Sequence, residues 1–120
     1  MLVSDPIRYG THGVAGVNVI KFSEPWDKLK NLEGFTTIRR STPEKAQYYH
    51  QAIGELFGIS LQGKIIGKAI LKEVHDTIGR DIDTEILDFD VSVNGKRNYD
   101  WFLKIRNMGP VLLLYFERVY

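Results

Sequence analysis

The sequence predicts an α+β fold in which strands dominate: a small, mostly antiparallel β-barrel with helices on its rim. Three observations support this prediction. Six short segments alternate as strands do, helix start signals follow the first two, and the last segment is apolar on both faces, as a central strand is. The 120 residues suit one domain. We expect residues 1–16, rich in glycine, to be a flexible lead-in, and residues 17–120 to form the domain.

In the first half of the domain, residues 17–22 are predicted to form a strand. Ser23 then begins a short predicted helix that ends before the next strand, residues 35–40. The sequence Ser-Thr-Pro-Glu at residues 41–44 predicts a second helix, which runs to Gly54. A hydroxyl at the N-cap and a proline in the first turn both favour a helix start at this point.

In the middle of the chain, residues 56–61 and 65–74 are predicted to form a hairpin around a turn at Gln62-Gly63. Gly67 has no side chain, so the second strand leaves room there for a close neighbour or a ligand. The acidic stretch at residues 76–88 lacks clear periodicity and is predicted as a solvated loop.

A strand marked by Phe89, Val91 and Val93 is predicted next. Asn98 is expected to cap the last helix, which ends before Gly109-Pro110 because glycine and proline stop helices there. Residues 111–119 complete the predicted sheet as its central strand.

Charge and composition exclude several classes of function. The net charge is only +1, but residues 21–72 carry nine basic and five acidic residues, whereas residues 73–97 carry three basic and seven acidic ones. Such polarity steers a polyanion toward one side of a protein. The chain has no cysteine, which excludes disulfides and thiolate chemistry and favours the cytoplasm. No segment is apolar for long enough to cross a bilayer, so no membrane partner is expected.

Neither a metal nor a cofactor is expected. The acidic series at residues 81, 83 and 85 begins like a calcium loop, but Ile86 and Ser92 stand where such a loop needs glycine and glutamate. The histidines are too far apart in sequence to share one helical face as zinc ligands.

The strand at residues 35–40 holds the most informative side chains. Its alternation places Thr37 and Arg39 on the same face, with Arg40 beside them at the strand end. A hydroxyl next to a planar guanidinium is suited to holding a phosphate or a carboxylate. Tyr48 is turned about 100° from the apolar face of its helix, so it is predicted to be exposed and able to stack on a base. The alternative for the arginines is a solvated strand end.

At these positions the chain resembles the ASCH domains of the PUA-like superfamily. The resemblance is carried by Lys21-Phe22, by Phe-Thr-Thr-Ile-Arg-Arg at residues 35–40, by residues 63–69 and by residues 115–117. It implies a PUA-like β-barrel whose cleft accepts RNA or a nucleotide. The matching positions for that cleft are Lys21, Thr37, Arg39 and Arg40.

Some ASCH proteins are amidohydrolases that remove the acyl group from acetylated cytidine with a lysine, a threonine and a glutamate. Thr37 matches that threonine, but Gly34 stands where the lysine is expected, which argues against catalysis. If the protein is an enzyme, the candidate for the amine is Lys21, which can enter the same cleft from the neighbouring strand, and the candidates for the carboxylate are Glu73 and Glu85. The leading expectation is therefore an RNA- or nucleotide-binding domain, with a small amidohydrolase and a non-catalytic interaction module as alternatives.

Overall fold

A curled sheet forms the centre of the protein in a computed structural model that describes residues 18–120. The predicted lead-in and the first residue of the first predicted strand, Val17, lie outside the described residues. The described strands are β1 (Asn18–Phe22), β2 (Gly34–Arg40), β3 (Leu56–Leu61), β4 (Lys64–Ile78), β5 (Ser92–Val93), β6 (Lys96–Arg97) and β7 (Pro110–Val119). The α-helices are α1 (Pro43–Gln51), α2 (Thr84–Asp90) and α3 (Tyr99–Arg106).

The main sheet has the strand order β1-β3-β4-β7-β2. All of its neighbouring strands are antiparallel except β1, which runs parallel to β3. The sheet curls into a half-barrel, so β1 and β2 are its two edges and share no backbone pairing. The α+β, strand-rich class predicted from the sequence is confirmed, and so is the central position of the C-terminal strand.

The core consists mainly of aromatic and branched side chains from the sheet. The Phe35 and Phe116 rings stack with their centres 5.3 Å apart, and Phe57 meets Phe116 edge-on at 5.2 Å. Helix α1 covers this cluster through Tyr49, whose ring lies 6.3 Å from that of Phe57. A bulge between Leu71 and Glu73 interrupts the pairing of β4 with β7, and such bulges increase the local bend of a strand.

Several local signals are confirmed. The Thr42 hydroxyl accepts a hydrogen bond from the Lys45 amide at the start of α1. The Asn98 side chain accepts one from the Trp101 amide at the start of α3. Gln62 and Gly63 both have positive φ, the conformation that a tight hairpin turn of the primed type requires. The close neighbour expected at Gly67 is the guanidinium of Arg118.

The predicted helix after Ser23 is wrong, because only a 3-10 turn, Asp27–Lys30, forms there. The Asp27 carboxylate accepts hydrogen bonds from the amides of Asn94 and Gly95, which ties this turn to the β5–β6 hairpin. The tighter turn also changes which side chains point inward, and Lys28 becomes buried.

The prediction for residues 76–93 is also wrong. Strand β4 continues to Ile78, and Phe89 lies in α2 rather than in a strand. Asp83 explains the helix, because its side chain accepts hydrogen bonds from the amides of Glu85 and Ile86 and so caps the first turn. Only Ser92–Val93 remains extended, paired with β6.

Candidate functional site

A cleft of about 300 Å³ borders both edge strands of the half-barrel and extends over the end of α2 and one side of α3. Four residues singled out in the sequence line it: Lys21 on β1, and Thr37, Arg39 and Arg40 on β2. The structure thus brings Lys21 together with three residues that lie at least 16 positions later in the chain. The open side of the sheet and the predicted cationic surface coincide.

Arg39 is held in place by three contacts. Its Nε donates a hydrogen bond to Thr37 Oγ1 at 3.2 Å, and its Nη2 donates to the main-chain oxygen of Lys21 at 2.9 Å. Its guanidinium carbon lies 4.8 Å from the centre of the Phe22 ring, a cation–π distance. Within residues 18–120, Nη1 has no acceptor, so one edge of a fixed guanidinium remains available to a ligand.

Burial and neighbouring charge shape the electrostatics of this arginine. Burial lowers the pKa of Arg39, but a guanidinium keeps its proton in proteins. Tyr49 lies close by on α1, and its burial raises the pKa of its phenol, an effect that the Arg39 charge opposes. The pair therefore consists of a cation and a neutral phenol at neutral pH.

A buried ion pair lies beside this arginine. Lys28 Nζ donates to Asp90 Oδ1 at 2.8 Å, and the Thr36 hydroxyl donates to the same oxygen at 3.0 Å. The side chains of Lys28 and Asp90 are only 2% and 4% exposed, yet both residues line the cleft. A buried pair of this kind is retained only when hydrogen bonds satisfy its members, and Thr36 supplies one of them.

The amine of Lys28 is unusually ready to lose its proton. Burial lowers its pKa to about 8, and the nearby Arg39 charge acts in the same direction, while Asp90 favours the charged form. At neutral pH the amine remains mostly protonated. A modest rise in pH is enough to produce the neutral amine at this position.

Aromatic rings and further cations complete the cleft. Trp26 meets Trp101 edge-on with ring centres 6.1 Å apart, and Lys104 Nζ lies 4.4 Å from the centre of the Trp101 ring. Apart from the neutralised Lys28–Asp90 pair, the charged side chains of residues 18–120 that line the cleft are all basic. They are Lys21, Arg39, Arg40 and Lys104.

Three other residues named from the sequence do not line this cleft. Tyr48 lies on α1, where its hydroxyl donates to Asn18 Oδ1 at 2.7 Å and its ring packs against Tyr49. Glu73 Oε1 lies at hydrogen-bond distance, 2.8 Å, from Nε2 of the exposed His75, which is also on β4. Glu85 is exposed in the first turn of α2.

The glycine in place of the expected lysine has a packing reason. A Cβ at Gly34 would lie 2.2 Å from the main-chain oxygen of Phe116, on the neighbouring strand β7. Real Cβ atoms do not approach a backbone oxygen so closely, so no side chain fits at this position unless the strands separate.

Lys28 and Asp90 were missed by sequence reasoning for identifiable reasons. In the predicted helix, Lys28 would lie on the side opposite the apolar face of Trp26 and Leu29. In the predicted strand, Asp90 would point to the face opposite that of Val91. The helix signal at Asp83 was available in the sequence, and it places Asp90 on the same face as the buried Leu87, three residues before it. Nothing comparable marks the 3-10 turn that buries Lys28.

Residues 18–120 contain no cluster of three or more His, Asp or Glu side chains arranged to hold a metal ion. The same residues include no helix of the length and apolar character needed to cross a membrane. The chain matches no known family model, no curated protein and no solved structure.

Proposed function

We propose that the protein binds RNA or a nucleotide in the cleft between β1 and β2, as an ASCH-type, PUA-like domain of the cytoplasm. The observation that carries this proposal is the fixed guanidinium of Arg39, with one free edge, among further cations on a concave surface. Its support from the sequence is the ASCH-like strand at residues 35–40.

The chemistry of the cleft suits a phosphate attached to an aromatic base. Arg39 offers a planar edge of N–H donors to a phosphate, and Lys21 and Arg40 add charge without fixed geometry. Trp101 is half-buried and offers a ring on which a base can stack if Lys104 swings aside. A volume of about 300 Å³ lies at the lower limit of small-ligand pockets, which suits one nucleotide unit.

The test is a fluorescence anisotropy titration of short single-stranded RNA at several salt concentrations. With about three phosphates neutralised, the slope of log affinity against log salt should be roughly −2. Replacing Arg39 with Ala should reduce the magnitude of that slope by roughly 0.7, one phosphate's share for a single strand.

Arg80 provides the matched control, because it is an exposed arginine that does not line the cleft. Arg80→Ala should leave both the affinity and the slope unchanged. The proposal fails if neither RNA nor nucleoside monophosphates bind at low salt. It also fails if Arg39→Ala and Arg80→Ala have equal effects, because binding would then depend on overall charge. If neither ligand binds, the third option, an interaction module with no nucleic-acid ligand, takes its place.

A second candidate is hydrolysis of an acylated nucleoside, and one observation favours it. The Lys28 amine, the Asp90 carboxylate and the Thr36 hydroxyl form a connected set beside the cleft, and the pKa of Lys28 is lowered to about 8. An amine and a hydroxyl held on one carboxylate supply the groups of an activated nucleophile once the amine has lost its proton. The sequence-based alternative, Thr37 with Lys21, has less support because within residues 18–120 the side-chain hydrogen bond of Thr37 is to Arg39 and none joins it to Lys21.

We expect no acyl release from acetylated cytidine above the uncatalysed rate, because the Lys28 amine is held by Asp90. Turnover that disappears in Thr36→Val would assign the activity to the Lys28 set. Turnover that disappears in Thr37→Ala would instead point to Lys21. Either result would establish an enzyme and leave binding as its first step.

A further inference from the structure

One carboxylate oxygen in the cleft has no donor. Asp90 Oδ1 accepts hydrogen bonds from both Lys28 and Thr36, whereas Oδ2 accepts none from residues 18–120. The residue is only 3% exposed and lines the cleft. A carboxylate whose one oxygen accepts two hydrogen bonds can still accept hydrogen bonds at its other oxygen.

This oxygen is reached from the cleft and is not sealed in the core. Among the described residues, Arg118 Nε is the fully enclosed side-chain atom that lacks a hydrogen-bond partner. Asp90 Oδ2 also lacks a partner among them, but it is not fully enclosed. In the part of the chain that the structure describes, Asp90 is also the one acidic side chain that lines the cleft. A ligand whose phosphate lies near Arg39 therefore meets a fixed carboxylate acceptor, and a group that presents N–H to it is favoured.

We propose that Asp90 makes the cleft select nucleobases that carry an exocyclic amino group, such as cytosine and adenine, over their keto counterparts. The inference rests on the proposed function and adds the chemical class of the base. An amino group donates to Oδ2. A keto oxygen at the same place on the ring faces a carboxylate oxygen with no proton between them, and Lys28 and Thr36 prevent the carboxylate from turning away.

The geometry provides a sharp variant, Asp90→Asn. The amide oxygen of the new side chain takes the place of Oδ1, because Lys28 and Thr36 donate to that position. Its NH₂ group then occupies the position of Oδ2 and becomes a donor toward the cleft. The variant therefore exchanges an acceptor for a donor with almost no change in shape, and the preference for amino bases should invert.

The experiment measures dissociation constants by calorimetry for two pairs of ribonucleoside monophosphates. Cytidine is compared with uridine, and adenosine with inosine, so each pair exchanges an amino group for a keto oxygen on the same ring and, beside it, an unprotonated ring nitrogen for a ring N–H. The wild-type protein should bind the amino member of each pair about tenfold more tightly, and Asp90→Asn should bind the keto member more tightly. Asp88→Asn makes the same change of charge on the same helix, at a half-buried carboxylate that pairs with Arg97 and does not line the cleft, and it should keep the wild-type preference.

A second cytidine ligand keeps the inference testable if Asp90→Asn does not fold. N4,N4-dimethylcytidine monophosphate retains the ring and the phosphate but has no N–H at the exocyclic nitrogen. It should bind wild-type protein about tenfold more weakly than the parent nucleotide. Equal affinities within both pairs, or no loss on dimethylation, would overturn the role of Asp90 and leave the proposed function standing. Failure of every nucleotide to bind would overturn both.

Discussion

Arg39 Nη2 donates a hydrogen bond to the main-chain oxygen of Lys21 at 2.9 Å and so joins two edge strands that do not pair with each other. The contact fastens the open side of the half-barrel at the place where the candidate ligand site lies. It also helps to orient the guanidinium, whose Nε donates to Thr37 and whose face lies over the Phe22 ring. Stability and binding are therefore coupled at this one side chain.

The first prediction concerns Arg39→Lys. A lysine keeps the charge but has no planar set of donors, so it cannot bond to both Thr37 and the Lys21 oxygen in the same way. We expect the free energy of unfolding, measured with urea, to fall by roughly 1–3 kcal/mol. RNA affinity should fall about tenfold while the salt slope stays near its wild-type value, because the number of charges is unchanged.

Arg40→Lys is the matched control, because Arg40 is exposed and makes no hydrogen bond with another described residue through its side chain. Its stability should stay within roughly 0.5 kcal/mol of wild type. If Arg39→Lys behaves like this control in both measurements, the orientation of the guanidinium has no role.

The second prediction concerns stability against pH. The folded protein holds the pKa of Lys28 at about 8, whereas the ordinary value is 10.5. Between these values the unfolded chain binds more protons than the folded protein, so the Lys28 contribution to the free energy of unfolding rises with pH. The expected rise is about 1.4 kcal/mol per pH unit, and it is absent below pH 8 and complete near pH 10.5.

The comparison protein carries Lys28→Met together with Asp90→Leu, because replacing both members of a buried ion pair avoids an unpaired buried charge. Urea unfolding at several pH values from 7 to 10 gives the difference between the two proteins. Other groups titrate in both proteins, so their contributions cancel in the difference between the two free energies of unfolding. A difference that stays flat across this range would show that the Lys28 amine is not perturbed as described.

How far the sequence predicts this molecule depends on where its local signals are strong. The caps at Thr42 and Asn98 and the turn at Gln62 act within a few residues, and the structure confirms all three. Alternation in β2 likewise predicts correctly that Thr37 and Arg39 share a face. The Lys28–Asp90 pair joins residues 62 positions apart. A local signal, the cap at Asp83, marks the short helix that carries Asp90, but none marks the 3-10 turn that buries Lys28, and neither element by itself indicates that the two residues meet.

The third prediction concerns Gly34→Ala in β2. The added methyl group would lie 2.2 Å from the Phe116 oxygen, so β2 and β7 must move apart. We expect the free energy of unfolding to fall by roughly 1–3 kcal/mol. Gly58→Ala in β3 is the control, since its nearest contact is a flexible Ile65 methyl at 3.4 Å. Equal stability of the two variants would contradict the packing reason given for the glycine.

The fourth prediction concerns Tyr48, whose stacking role stays a prediction from the sequence. Because its ring lies outside the cleft, it can contribute only when the ligand extends beyond one nucleotide. Tyr48→Leu should weaken binding of a single strand of about eight nucleotides roughly tenfold and leave nucleoside monophosphate affinity unchanged. Tyr48→Phe, which keeps the ring but loses the hydrogen bond to Asn18, should retain strand affinity.

The salt slope should not change in either variant, because no charge is removed. Anisotropy with both ligands measures this, and a loss on the mononucleotide as well would mean that Tyr48→Leu disturbs the cleft itself.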